Sequence, residues 1–222
     1  MVGHFQEFED EYLETMYEFH ESEPLGVVRT GDLAARLGVS PASATEMVQR
    51  LASRGLLEYI PYKGARLSKD GLVHGQKMKR RHRLAEVLLD HLPYEGNAHE
   101  TACRLEHAID DDMEVALSRL VGAEATDPSG RPIPPPTEDI ELRLREVGRT
   151  VCLSELEPGS SGELVGMLLP AGVKERLEAK GLVLGSHLSK ESDRLLTMSG
   201  EEFSASEAWL RGLFIRVDEN TT

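Results

Sequence analysis

The chain has 222 residues, 40% of them hydrophobic and 29% charged, and a net charge of -14. That is enough for one large domain or two to three small ones, and no stretch approaches the roughly 18 uncharged apolar residues of a membrane helix. An acidic start where a signal peptide would be basic adds the expectation of a cytoplasmic protein with no membrane partner. The two cysteines, Cys103 and Cys152, stand far apart without CxxC spacing, which argues against a disulfide framework or a zinc ribbon. The charge is unevenly spread: between Gly26 and Arg83, twelve Lys or Arg meet four Asp or Glu, a local +8 that leaves -22 for the rest. A basic module inside an acidic chain is the footprint of phosphate binding.

In chain order, residues 5 to 21 carry Phe5, Phe8, Tyr12, Leu13, Met16, Tyr17 and Phe19 on one side of an amphipathic helix, with Glu11 and Glu14 three apart. Thr30 is placed to cap a short helix through Leu37; Gly38-Val39-Ser40 makes a turn, and Pro41 opens a second helix to about Arg54. Helix, tight turn with glycine, helix is the helix-turn-helix arrangement. Leu33, Ala34, Leu37, Val39, Ala44, Val48 and Leu51 have the spacing that locks the pair. Pro41, Ala42, Ser43, Glu46 and Gln49 are left to face base edges, with Thr45, Arg50 and Arg54 beside phosphates. Two β-like runs around Lys63-Gly64 follow as a wing; Arg29, Thr30, Ser40 and Lys63 complete the expected DNA-binding set.

A long helix is expected from Ser68 to about His91, with the basic run Lys77 to Arg83 in its middle and His82 and Glu86 at i, i+4. The next begins near Asn97 and continues towards Leu120. It carries His99, Cys103, Glu106 and His107 at i, i+4, i+7 and i+8, one helical face. Imidazole, thiol and carboxylate on one stripe suit a divalent transition ion. His74 and His91 read as surface or capping residues. Leu88, Leu89, Leu92, Leu105, Ile109, Met113, Val115, Ala116 and Leu117 exceed what a helical hairpin buries, so a dimer seam is expected. The Pro-rich stretch 126–136 reads as a stiff linker. A short helix near Asp139 to Glu146 precedes Val-, Leu- and Gly-rich strands around a helix, Val173 to Lys180, and a closing strand at Leu213 to Val217, which suits a small SH3-like β-barrel.

The segments Glu11 to Glu18, Leu33 to Ser40, Arg81 to Glu86 and His99 to His107 resemble, in this order, the diphtheria-toxin-repressor family of metal-dependent transcriptional repressors. The resemblance covers nearly the whole chain. It implies a mainly α protein with a small β part, in which residues 1–70 form a winged helix-turn-helix domain and 71–125 a helical metal-binding and dimerisation domain. A linker and short helix then span 126–147, ahead of an SH3-like (FeoA-like) domain at 148–222. It also implies Fe2+ or Mn2+ at two sites per subunit: a primary site of Glu11, Cys103, Glu106 and His107, joined by Glu14 in manganese-type members, and an ancillary site of His82, Glu86 and His99. Iron-responsive members usually carry Met at the position of Glu11, whereas manganese-responsive members place carboxylates at the positions of Glu11, Glu14 and Cys103, so this chain mixes the two patterns. Leu169 to Val173, where some relatives' C-terminal domains supply metal ligands, offers no such side chains.

The partners implied are double-stranded operator DNA and a second copy of the chain. An ion joining the first helix to the central helices would bind best in one orientation of the DNA readers and so would favour it. A metalloenzyme or a metal-storage protein could use the same His/Cys/Glu set. The chain nevertheless shows neither HExxH nor GxSxG, and either alternative leaves the basic module without a use.

Overall fold

The computed structural model describes residues 3–24, 26–121, 126–146, 150–192, 195–198, 201–204 and 206–218. They fall into two compact units, one of 1–110 with Thr126–Thr137, the other of Asp111–Ala125 with Glu138–Thr222.

In the first unit, α1 (Gly3–Ser22) buries Tyr12, Leu13, Met16 and Tyr17. Phe8, expected in the same core, is 53% exposed; Phe5 lies outside the described side chains. α2 (Thr30–Leu37) and α3 (Pro41–Ser53) are the expected helix-turn-helix. Gly38 closes α2 in the left-handed region at φ 66°, a conformation that costs a residue without Cβ nothing. Ser40 then caps α3 by accepting from the Ser43 amide, worth about 1 kcal/mol, and Pro41 takes the first helical position. Thr30 is not the cap of α2. Val28 bridges Ala65 through two backbone hydrogen bonds, which keeps 28–29 extended and makes Arg29 the cap, with Thr30 the first helical residue.

Leu33, Ala34, Ala44, Val48 and Leu51 are buried against α1 and the wing strands β1 (Leu57–Ile60) and β2 (Gly64–Leu67), an antiparallel pair in register Leu57 with Leu67. At roughly 1.5–3 kcal/mol for each fully buried aliphatic side chain, this core fixes the angle between the two helices. Ser68 caps α4 (Lys69–His91), which packs along α1.

The helix expected from Asn97 to Leu120 is broken in two. Asn97 caps α5 (Ala98–Leu105), a single 3-10 turn follows at Glu106–Ala108, Ile109 is extended at φ -80° and ψ 108°, and α6 (Asp111–Leu120) begins anew. Asp111, Asp112 and Glu114 favour a helix start at that point, because carboxylates are stabilised by the positive end of the peptide dipoles. The Pro-rich stretch is no free linker either. Arg80 Nη1 donates to Pro134 O at 2.8 Å, Gln76 Nε2 donates to Pro135 O at 2.9 Å, and Arg83 donates to Pro132 O, so the strap lies along α4.

In the second unit α6 buries Val115 and Leu117 beside α7 (Glu138–Glu146), while Met113 and Ala116 of the expected seam stay exposed. The antiparallel sheet runs β3-β8-β4-β5-β6-β7, from β3 (Thr150–Cys152), β4 (Ser161–Met167), β5 (His187–Lys190), β6 (Leu195–Met198), β7 (Glu201–Ser204) and β8 (Leu213–Val217), with α8 (Ala171–Glu178) and α9 (Glu207–Leu210) in its connections. This is the SH3-like β part, and its core includes Leu153, Leu164, Leu188, Leu213 and Ile215.

Candidate metal centre and nucleic-acid interface

α1, α4, α5 and the 3-10 turn enclose a cleft of about 670 Å³. Every residue of the two expected ligand sets except Glu86 lines it, and Glu86 reaches it through His82 and His99. Its hub is His82, only 1% exposed. Nδ1 lies 2.6 Å from Glu106 Oε2 and 3.8 Å from Glu14 Oε1; Nε2 lies 3.3 Å from Glu86 Oε1 and 3.2 Å from His99 Nδ1. Two groups of donors therefore share His82: Glu14 with Glu106, and His99 with Cys103, the atoms of each group lying within 4.8 Å of one another. The expected division put His82 and His99 in one site and Cys103 and Glu106 in another; the structure brings members of both sets together on one imidazole. Ending α5 at Leu105 causes this, because the 3-10 turn re-aims Glu106 at His82 and His107 at α1.

Electrostatics are severe here. Burial alone would keep His82 neutral, but contacts with Cys103, Glu106 and Glu86 and the field of Glu14 raise its pKa well above the imidazole range. Burial pushes Glu106 above the usual carboxylate range against the opposing pull of His82. Glu86 is desolvated too, yet its bonds to His82 and His99 draw it down to about 2. Glu11, desolvated beside Glu14, is raised. Nitrogen, sulfur and carboxylate donors converging at this density, with protons shared among them, fit a divalent transition ion that can displace those protons.

The surroundings differ from expectation in one respect. The basic run of α4 is not all an outer surface, for Lys79, Arg80 and Arg83 are buried. Lys79, 1% exposed, donates to Glu14 at 3.0 Å and also to Glu18; Arg83 pairs with both oxygens of Glu21 at 2.6 and 2.7 Å. Arg131 in the strap, held by Asp127 at 2.6 Å, reaches Glu86 Oε2 at 2.8 Å. Asp10 escaped the sequence reading, and His74 is neither a surface nor a capping residue but a partner of it: the buried Asp10 carboxylate lies 2.6 Å from His74 Nε2 and 3.6 Å from His107 Nδ1. The signal was present, since His74 precedes His82 by two helical turns and Asp10 precedes Glu14 by one. His91 does cap, Nδ1 lying 2.8 Å from Val87 O. Cys152 is buried in the sheet, its thiol contacting Arg211 O, and His187 pairs with Asp218.

The DNA reader borders the cleft, which Arg36 and Leu37 of α2 also line. Pro41, Ala42, Ser43, Glu46 and Gln49 are exposed on α3, as are Arg29 and Lys63, while Thr30 is half-buried. The Thr45 hydroxyl is occupied by the Pro41 carbonyl at 2.8 Å and Ser43 shares a bond with Ser40. Arg50 is not a free phosphate ligand: its Nε lies 3.0 Å from Glu9 Oε1, and Arg54 binds the other oxygen of the same buried carboxylate.

Sequence models of the iron-dependent repressor match this chain twice, the N-terminal DNA-binding domain at residues 4–65 and the metal-binding and dimerisation domain at 68–135. The diphtheria toxin repressor of Corynebacterium jeikeium is 32% identical over 211 residues, 87% of each chain. This chain belongs to the diphtheria-toxin-repressor family. The iron-dependent repressor IdeR of Mycobacterium tuberculosis is 30% identical over 82% of each chain, and the regulator MntR of Escherichia coli is 37% identical over 39% of this chain and 55% of its own. Among solved structures, T. acidophilum IdeR (TM-score 0.50, 23% identity, 95% of this chain and 97% of that one) shares the fold. So does a manganese-dependent transcriptional repressor in complex with manganese (TM-score 0.51, 23% identity, 95% and 100%). As a member of the diphtheria-toxin-repressor family the chain is a metal-dependent DNA-binding transcriptional repressor, not an enzyme, and it binds divalent metal. Among the described residues no helix is long and apolar enough to cross a membrane.

Proposed function

We propose that this repressor senses Fe2+ or Mn2+ in the cytoplasm and, as a metal-loaded homodimer on double-stranded operator DNA, shuts off genes for uptake of that metal. Glu11, Cys103, Glu106 and His107, with Glu14, form the primary site; His82, Glu86 and His99 form the ancillary one, and His82 stands where the two meet. One observation carries the reading: the donors come from α1, α4, α5 and the 3-10 turn, and α1 also grips the recognition helix through Glu9. When bound, the ion supplies a double positive charge and fixed coordination directions. The chain's own residues do the rest. Glu11 and Glu14 commit α1, Glu106 and His107 commit the 3-10 turn, and Glu9 passes the position of α1 to Arg50 and Arg54.

Arg29, Thr30, Ser40, Pro41, Ala42, Ser43, Thr45, Glu46, Gln49 and Lys63 meet the DNA, and Arg50 joins them when it leaves Glu9. Domain limits near 70, 125 and 147 remain part of this reading, with the helices after residue 70 supplying the dimer contact. Operator retardation across Fe2+ and Mn2+ titrations under anaerobic conditions tests it. Binding should appear with metal and vanish with chelator, and Cys103→Ala or Glu106→Ala should lose the response. Unchanged metal dependence in either variant contradicts the site assignment.

A further inference from the structure

Resting on the reading of His107 as a metal ligand, we propose that Asp10 is a positioning residue for the metal: its carboxylate holds His107 Nδ1 so that Nε2 is turned into the cleft. The His107 ring lies between two acids. Its Nε2 is 3.5 Å from Glu106 Oε1, on the ligand side, and its Nδ1 is 3.6 Å from Asp10 Oδ2. Nδ1 is buried and has no hydrogen bond at that length, so a closure of a few tenths of an ångström gives it a partner, and Asp10 is the carboxylate in reach.

An imidazole that gives one nitrogen to a metal commonly donates its other N–H to a carboxylate, which fixes the ring's orientation and raises its basicity. Asp10 is itself held in place. Oδ1 is engaged by His74 Nε2 at 2.6 Å from α4 and by Gln6 Nε2 at 3.2 Å from one turn earlier, which leaves Oδ2 for His107. His74, on α4, thus reaches the 3-10 turn through one carboxylate on α1.

The test is a double-mutant cycle read by Mn2+ affinity and by the visible spectrum of bound Co2+. Asp10→Asn should weaken Mn2+ binding about 10- to 100-fold and alter the Co2+ bands. His107→Ala should weaken it as well, and adding Asp10→Asn to His107→Ala should cost nothing further. Wild-type affinity in Asp10→Asn, or losses that simply add in the double variant, overturns the proposal. Should His107→Ala alone leave affinity unchanged, the ligand assignment falls, a failure distinct from that of Asp10. His74→Gln, which keeps the carboxylate and loosens only Oδ1, provides a second variant if Asp10→Asn does not fold. A loss in His74→Gln that disappears in the His107→Ala background supports the chain of contacts, and one that persists there overturns it.

Discussion

Replacing Lys79 by methionine removes the cation that two carboxylates share inside the first unit. Lys79 is 1% exposed and bonded to Glu14 and Glu18, whose side chains are 11% and 24% exposed. Breaking a fully buried pair by deleting one partner costs about 3–5 kcal/mol. Glu18 keeps some water and its bond to Arg36 at 2.8 Å, so the screened figure is about 2–3 kcal/mol. For a unit of this size that lowers the melting point by roughly 10 °C, read by thermal unfolding in chelator at neutral pH. With its rival for Glu14 gone, the variant should also bind Mn2+ more tightly and recover more stability from saturating Mn2+ than the natural protein does. A Lys79→Met protein that melts within about 2 °C of the original would show that the ion pairs of Lys79 add little to the fold, and the electrostatic account of the cleft would fall.

Glu9→Gln should release Arg50 and Arg54 towards phosphates. Because each added phosphate contact steepens the salt dependence of log K by about 0.9, fluorescence anisotropy across a KCl series should show a slope larger by up to about 2 per subunit, and an unchanged slope refutes it. Acid should unfold the first unit early. Glu18, Asp10 and Glu86 have folded pKa values below their ordinary ones, Glu86 near 2, so the stability they contribute is present above pH of about 4.5 and lost as pH falls towards 2. Circular dichroism between pH 6 and 2 checks this, and Glu86→Gln should flatten the lower part of the curve. Gly75→Ala puts a Cβ 2.5 Å from Leu13 O and 3.0 Å from Tyr17 Cβ, so α1 and α4 must separate. That overpacking should cost about 1–3 kcal/mol in urea melts and weaken metal binding together with stability.

The helix-turn-helix was legible because its signals are local: Gly38, Ser40 and Pro41 act within one turn of themselves, and the apolar spacing of Leu33 to Leu51 has one helical solution. The candidate donors were equally visible as His, Cys and Glu at helical intervals. What failed was continuity and partnership. Nothing apolar marks the break after Leu105; the aspartates that start α6 decide it. The lysine and arginines of α4 look like a DNA surface until Glu14, Glu18, Glu21 and the carbonyls of Pro132 and Pro134 are brought beside them from 49 to 65 residues away. The pairing of Arg50 is hidden in the same way, since its partner Glu9 lies on another helix. Pairings of that range leave no periodic trace in a single sequence.

Coupling between ion and DNA is tested most directly by measuring Mn2+ affinity twice, once with free protein and once with protein saturated by operator DNA. Linkage requires DNA to tighten Mn2+ binding by the same factor by which Mn2+ tightens DNA binding, here at least tenfold for a repressor switched by metal. Equal Mn2+ affinities in the two measurements would mean that the cleft and the recognition helix do not communicate.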